Sequence, residues 1–409
     1  MSTWPTYEFT QTIRKTRIGR ENQIKTSEIK SSGRFPVIDQ GQAYIAGYSD
    51  EESKVVKDEL PVVIFGDHTR CVKYVDFPFI LGADGTKVLK PKDDLFDPKF
   101  FYFALLNLDI PSRGYNRHFT LLKERRLPRP EFDEQKKIVH VLSIMQRAIE
   151  QQERLIKLTT QLKKALMHKL FTEGLRGEPK KETEIGLVPV SWRAERIGDL
   201  TEDNLRNGLY KPRKQYGIGN NYIIQLQDLY RGNRIVDLSH LEPIEITEKE
   251  RTQYLVREGD LVINRVSKQL EGIGKVCLIK GLADLTNVVF ESNMFRISLH
   301  QNKLTPDYLS YFSESPLYIN QVREKAKKGN QTSINQGDLQ SILICFPESS
   351  EEQQEVINPL LCLDQKLTLH MEKENCLRDL FKSLLHNLMT AQIRVDDLNL
   401  GELKAPMKE

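Results

Sequence analysis

Cysteine is scarce and unpatterned in this chain of 409 residues. Five thiols (Cys71, Cys277, Cys345, Cys362 and Cys376) are scattered, odd in number and form no Cys-x-x-Cys. That excludes a disulfide framework and a cysteine zinc site, and it fits a reducing compartment. Long apolar runs are missing too: none approaches the ~18 residues that a membrane span needs. The opening Met1-Ser2-Thr3-Trp4-Pro5 reads as neither a signal peptide nor a transit sequence, so a cytoplasmic location is expected. A large charge excess is lacking as well. The net charge is only +3, whereas an indiscriminate DNA binder is usually more basic.

Catalytic motifs are absent in the same way. Gly272-Ile273-Gly274-Lys275 has neither the upstream glycine nor the Ser/Thr of a phosphate-binding loop. Gly217-Ile218-Gly219-Asn220-Asn221-Tyr222 lacks the third glycine of a dinucleotide fingerprint and precedes a strand pattern. Asp97-Pro98-Lys99-Phe100 lacks the second proline of an amino-methyltransferase loop and reads as a helix cap. No histidine pair has metal-ligand spacing, and His168 and His386 fall near helix ends. Hence no catalytic residue, metal or cofactor is expected in this chain.

What is present is a repeat. Glu134-Gln135 opens one long helical pattern and Glu352-Gln353 opens another, a shift of 352 − 134 = 218 residues. At that shift Lys164, Leu166, His168, Leu170, Thr172 and Arg176 recur as Lys382, Leu384, His386, Leu388, Thr390 and Arg394. The first pattern predicts a helix from about 133 to 172, ended by Gly174 and Gly177. Its apolar stripe is Ile138, Leu142, Met145, Ile149, Leu155, Leu158, Leu162, Leu166 and Leu170, with polar Gln152 filling a gap. The second predicts a helix from about 350 to 391 with the stripe Val356, Leu360, Leu363, Leu367, Cys376, Leu380, Leu384 and Leu388. Narrow stripes on otherwise polar helices belong to coiled coils, and each helix is the simplest partner for the other. About 40 residues at ~1.5 Å rise give a rod of roughly 60 Å, between one and two turns of B-DNA. Two breaks qualify the repeat: Lys373 stands where Leu155 does, and Pro359, where Val141 does, is expected to bend or delay the second helix.

Before each helix lies a mixed α/β segment. Strands are predicted over 60–65, 71–75 and 87–90 in the first, and over 222–226, 260–266, 275–280, 294–299 and 341–346 in the second. Each holds a short helix with one start signal, Asp97-Pro98 or Thr305-Pro306. The segments begin near Trp4 and Trp192 and differ in length, so they share a plan and not a detail. The division is therefore 1–132 first head, 133–178 helix and linker, 179–349 second head, 350–398 helix, and 399–409 tail. The fold class is α+β, two mixed α/β heads and two long helices in an antiparallel coiled coil, with a pseudo-two-fold internal repeat.

Cationic, amide-rich clusters mark candidate DNA contacts. In the first head these are His68, Arg70, Arg113, Tyr115, Asn116, Arg117 and His118. In the second they are Tyr210, Lys211, Arg213, Arg265, Lys268, Lys327, Lys328, Asn330 and Gln331. Arg and Lys suit phosphates, while Arg on guanine or Asn and Gln on adenine suit base edges.

The whole pattern resembles the specificity subunits of type I restriction–modification systems. The resemblance rests on Leu127-Pro128-Arg129-Pro130 before Glu134-Gln135, and Cys345-Phe346-Pro347 before Glu352-Gln353. It extends to Ile185-Gly186-Leu187-Val188-Pro189-Val190-Ser191-Trp192 with Arg196-Ile197-Gly198-Asp199-Leu200. Gly33-Arg34-Phe35-Pro36-Val37-Ile38 and Phe65-Gly66-Asp67-His68-Thr69-Arg70 also match. It implies a non-enzymatic DNA reader with two target-recognition domains, each taking one half of an interrupted site. The helices would set the spacing and dock two modification subunits, which bind S-adenosylmethionine; restriction subunits would supply the ATP- and Mg-dependent nuclease. A DNA-binding regulator, or a scaffold without enzymatic partners, is the alternative reading of the residues.

Overall fold

The computed structural model describes residues 4–83, 85–112, 114, 116–232, 234–235, 237–282, 287–327 and 329–398. It divides into two compact units. The first comprises residues 1–154 and 371–409, the second residues 155–370. Each unit thus joins one head to part of both long helices, a different cut from the head-and-helix division drawn on the sequence.

The first head centres on an antiparallel sheet in the order Ile13–Arg14, Thr86–Pro91, Val62–Gly66, Val72–Val75. All five residues of Val62–Gly66 are buried, as a central strand covered on both faces requires. A second sheet runs Gln23–Ile24, Ile80–Gly82, Phe35–Ile38, Gly47–Ser49, with Ile80–Gly82 parallel to Phe35–Ile38. The second head repeats this plan. Its main sheet is Arg206–Asn207, Met294–Ile297, Leu261–Asn264, Val276–Ile279, Arg234–Ile235, where the last strand is an addition. Its other sheet holds the matching parallel pair, Tyr216–Ile224 and Val288–Phe290.

The short helices form where the caps predict, Pro98–Leu106 and Pro306–Phe312. Asp97 Oδ1 accepts from the amides of Lys99 and Phe100, and the Thr305 hydroxyl accepts from Tyr308. The long helices span Phe132–Glu173 and Ser350–Met389. Gly174, at φ +64°, ends the first in the left-handed conformation that glycine takes without strain. Ser349 starts the second, its hydroxyl accepting from the Glu352 amide. The helix then continues through Pro359, so the expected delay does not occur.

The repeated glutamines explain the Glu-Gln signature. Gln135 is fully buried. Its carbonyl accepts from the Asp97 amide, and its NH2 donates to the carbonyls of Leu95 and Pro130. Gln353, equally buried, accepts from the Thr305 amide and donates to Lys303 and Pro347. Each amide ties a long helix to the start of a short one with two hydrogen bonds and to its own lead-in segment with a third, and only a side chain with both donor and acceptor ends can do so. The glutamates pair with arginines at the same shift: Arg394 with Glu134 at 2.8 Å, and Arg176 with Glu352 at 3.7 Å.

Within each unit the helix segments run antiparallel. In the first, Glu134 faces Arg394 and Glu153 faces Arg378. In the second, Lys163 meets Asp364 at 2.7 Å, and Arg176 meets Glu352. The covered stripe differs from the sequence expectation at mid-helix. Leu155, Leu158 and Leu162 are 40%, 50% and 55% exposed, and Leu380 is 51% exposed. Leu162 and Leu380 are therefore not seam residues. The covered positions after Ile149 are Gln152, Ile156, Thr159 and Lys163, and after Leu367 they are His370, Glu374, Leu377 and Phe381. These keep the alternating steps of three and four that hold one face toward a partner, whereas a jump of six from Ile149 to Leu155 does not. The heptad is unbroken; its middle is polar.

The joint between head and helix is where the units differ most. In the first, Phe103 lies 6.2 Å from Phe381, ring to ring, and Gln146 donates to the Tyr102 hydroxyl. In the second, Lys163 lies over the Tyr311 ring at 5.4 Å and pairs with Glu314 and Asp364, while Tyr311 donates to Asp364. Phe381 and Lys163 are equivalent by 381 − 163 = 218, as are Gln146 and Asp364 by 364 − 146 = 218. Phe103 and Tyr311, and likewise Leu106 and Glu314, are equivalent by 306 − 98 = 208, the offset of the short helices. One joint is apolar and the other ionic.

Candidate nucleic-acid interface

In both heads most of the described candidate residues, though not Tyr210, Lys211 and Arg213, gather at one end of the main sheet. They sit on the connection after its central strand and on the segment before the next short helix. In the first head the connection is the tight turn between Val62–Gly66 and Val72–Val75. Arg70 occupies a left-handed position, φ +63°, closed by its amide donating to the Gly66 carbonyl at 2.8 Å. Its guanidinium is exposed and donates to Ile110 at 2.9 Å. His68 is half-buried, its amide donating to Gln40.

His118 is not a surface residue. It is fully buried, its backbone amide and its ring Nδ1 both meeting the Asp67 carbonyl, at 2.8 and 2.9 Å. Asp67 also caps the next helix by accepting from the Phe119 amide. His118 therefore fastens this segment to the turn beside it, and its neighbours Asn116 and Arg117 are exposed. Arg113 and Tyr115 lie outside the described residues. We expect His118→Ala to lower the stability of the first unit by about 1–2 kcal/mol. Arg117→Ala, at an exposed site, should leave melting unchanged while weakening DNA binding. Paired thermal melts and binding titrations check both.

The second head enlarges the same two connections. Residues 265–275 replace the tight turn, and their Val266–Ser267 pairs with Thr332–Ser333 of the other segment. The Ile334 amide donates to the Arg265 carbonyl at 3.0 Å. Two sequence clusters far apart in the chain, 265–268 and 327–331, are thereby brought together. Between them opens a cleft of about 550 Å³, lined by Tyr230, Lys268, Gln269, Glu271, Asn293 and Gln331 among others. Gly272 shapes its floor, because a Cβ there would stand 2.3 Å from the Tyr230 hydroxyl and 2.4 Å from the Ser267 hydroxyl.

The other candidates divide. Tyr210 is 80% exposed. Lys268, Lys327, Asn330 and Gln331 are exposed, and Lys328 lies outside the described residues. Lys211 is covered and paired with Glu250 at 2.9 Å, so its charge is already met. Arg213 is exposed but pairs with Glu242 at 2.7 Å and lies over Tyr216. Arg265 is half-buried, with its guanidinium over Phe295 and a bond to the Ser292 carbonyl. Lys211 and Arg265 are thus engaged by partners that no sequence pattern displays.

Sequence reasoning passed over Tyr230, Gln269 and Asn293, which stand apart from any cationic run. It also passed over Lys73 in the first head, which is buried and donates to the carbonyls of Asp39 at 2.9 Å and Ala43 at 2.5 Å. Burial pushes its ammonium below the usual lysine range. Lys73 lines a 530 Å³ hollow beneath Arg70 and holds one wall in place. Among the described residues no group of His, Cys, Asp and Glu could hold a metal ion, and no helix is long and apolar enough to cross a membrane.

The family model for the type I restriction modification DNA specificity domain matches residues 12–160 and again 189–378. The chain belongs to this family. The two matches cover both heads and much of both long helices, so the family's domain occurs here twice. A relative described as the MjaX specificity subunit of a type I restriction enzyme, from Methanocaldococcus jannaschii, is 25% identical over 78% of this chain and 73% of its own. The MjaVIII type I restriction enzyme specificity subunit of the same organism is 22% identical over 76% of this chain and 74% of its own. Among solved structures, the type I restriction-modification S subunit from M. genitalium superposes with a TM-score of 0.58 at 14% identity, covering 94% of this chain and 96% of that one. A second, from work on assembly and conformational transition of the type I R-M system, gives 0.53 at 15% identity, over 96% and 98%. These structures share the fold, and the paired heads and helices of this specificity-family chain are that fold.

Proposed function

We propose that the chain is the DNA-specificity subunit of a type I restriction–modification complex, each head reading one half of a bipartite, interrupted site. The observation that carries this is the duplicated placement of the contact loops. Both heads present the same two connections at the same end of an equivalent sheet, and the loops there differ in length and chemistry. A framework held constant around variable loops is the form that recognition surfaces take. In this reading the antiparallel helices fix the separation of the half-sites. The chain has no catalytic role of its own. Modification subunits carry S-adenosylmethionine and the methyl transfer, restriction subunits carry the ATP and Mg chemistry, and the complex works in the cytoplasm.

The exposed leucines displaced from the seam fit the docking role. Leu155, Leu158 and Leu162 form one stripe at steps of three and four, uncovered within the second unit. Replacing Leu158 and Leu162 by aspartate is expected to change stability by less than ~0.5 kcal/mol, as at other exposed sites. Co-purification with the modification subunit should be lost. Retention of that subunit would remove these leucines from the docking surface. The function itself is tested by mobility shift. The chain with its modification subunit should retard one class of duplex and leave scrambled duplexes free. Equal retardation of all duplexes would contradict sequence reading.

A further inference from the structure

The chemistry lining the cleft of the second head is selective for one base edge. Gln269 and Gln331 line it and are exposed, and among the described residues neither side-chain amide has a hydrogen-bond partner. Glu271 also lines it, as an exposed carboxylate. An amide presents one donor and one acceptor side by side, which matches the acceptor N7 and donor N6 of adenine. A carboxylate accepts only. It suits an exocyclic amine and repels the two acceptors, N7 and O6, of guanine. Cytosine offers the amine without the adjacent acceptor, so it meets Glu271 but leaves half of a glutamine unpaired. Leu226 gives the cleft an apolar wall of the kind that thymine's methyl group contacts on the partner strand. Lys268, without an acidic partner among the described residues, stands at the same cleft as the phosphate contact.

The corresponding end of the first head combines an exposed amide, Asn116, with arginines. Its exposed groups include the guanidiniums of Arg70 and Arg117, donors only, which match the acceptor edge of guanine.

We infer that the Gln269–Glu271–Gln331 cleft is the base-reading site of the second head and that it reads an adenine, with Gln331 and Gln269 satisfying the N6/N7 edge and Glu271 excluding guanine. This rests on the DNA-reading role proposed above and names the chemistry within it.

The test uses the full chain with its modification subunit and duplexes in which every base pair of both half-sites is varied singly. For the wild type, changing A·T to G·C at one position of the second half-site should weaken binding about ten- to a hundred-fold. Gln331→Ala should bring that ratio toward one at the same position and leave every other position unchanged. Glu271→Gln should relieve the penalty against guanine there and leave the thymine penalty standing. Lys268→Ala should weaken all duplexes alike and make binding less sensitive to salt. All these side chains are exposed, so unchanged melting of each variant separates recognition from folding. The inference is overturned if Gln331→Ala weakens all sequences equally, or if the position it alters does not prefer adenine. A different outcome would remove the underlying role. If exchanging residues 179–349 for another chain's head leaves the second half-site intact, the second head does not read DNA at all.

Discussion

Gln353→Ala is expected to lower the stability of the second unit by about 3–5 kcal/mol, among the largest single-residue effects in the chain. The side chain is fully buried and makes three hydrogen bonds to backbone. Its removal strands one amide and two carbonyls away from water, and each such group costs about 1–3 kcal/mol, with carbonyls at the lower end. The effect reaches beyond the lost bonds, because the Thr305 amide and Lys303 carbonyl position the cap of the helix Pro306–Phe312. Gln353→Glu should be little better. A carboxylate still accepts from Thr305, but it turns an acceptor toward the carbonyls of Lys303 and Pro347. Gln135→Ala should do the same to the first unit through Asp97, Leu95 and Pro130. Hydrogen exchange around residues 303–308 and 95–100, with thermal melts, measures both. A loss below about 1 kcal/mol would show that the repeated glutamines do not hold the caps.

Lys163→Ala is expected to cost the second unit about 2–3 kcal/mol, less than a fully buried pair because its partners keep some contact with water. Its side chain is 14% exposed and lies 3.0 Å from Glu314 and 2.7 Å from Asp364, so truncation removes the ammonium that both carboxylates share. Lys163→Phe copies the residue of the first unit but removes the same shared ammonium, and it should be as harmful. Lys163→Phe combined with Asp364→Gln and Glu314→Leu transplants the apolar joint, since Phe381, Gln146 and Leu106 hold those places in the first unit. The triple variant should recover most of the loss. The pH dependence has a definite sign. Burial pulls the Lys163 ammonium down, the Glu314 and Asp364 carboxylates more than offset this, and its pKa ends above the usual lysine value. A folded-state pKa raised in this way contributes fully below the unfolded value of ~10.4 and is lost as pH rises through the folded value. Melts of wild type and triple variant should therefore converge under strongly alkaline conditions and not near neutrality. Recovery by Lys163→Phe alone would contradict the account of the ionic joint.

Much of this architecture was legible in the sequence because it depends on local rules. Asp97-Pro98 and Thr305-Pro306 announce helix starts whatever surrounds them. The 218-residue shift located both long helices to within two or three residues. Burial is a tertiary property, and there the reading failed at particular places. Leu155, Leu158 and Leu162 looked like seam because they are leucines, yet the heptad runs through Gln152, Ile156, Thr159 and Lys163. Residue type outweighed register, and only register decides which face is covered. His118 and Arg117 are adjacent in a polar cluster, but one folds back on Asp67 and the other faces out. Lys211 and Arg265 carry charges that Glu250, on the helix Glu248–Tyr254, and the Phe295 ring meet from elsewhere in the chain. The cleft was invisible for a related reason: it depends on Val266–Ser267 pairing with Thr332–Ser333, two short strands with no periodicity to detect.

The division of labour between heads is tested most directly by mapping methylated adenines at single-base resolution. DNA is exposed to the modification subunit with the wild-type chain, or with a chain whose residues 1–130 come from another family member. For the wild type the account predicts one interrupted site, two half-sites at a fixed spacing. For the exchanged chain it predicts a new first half-site, with the second half-site and the spacer unchanged. A single uninterrupted site, or a change in both half-sites on exchanging one head, would contradict it.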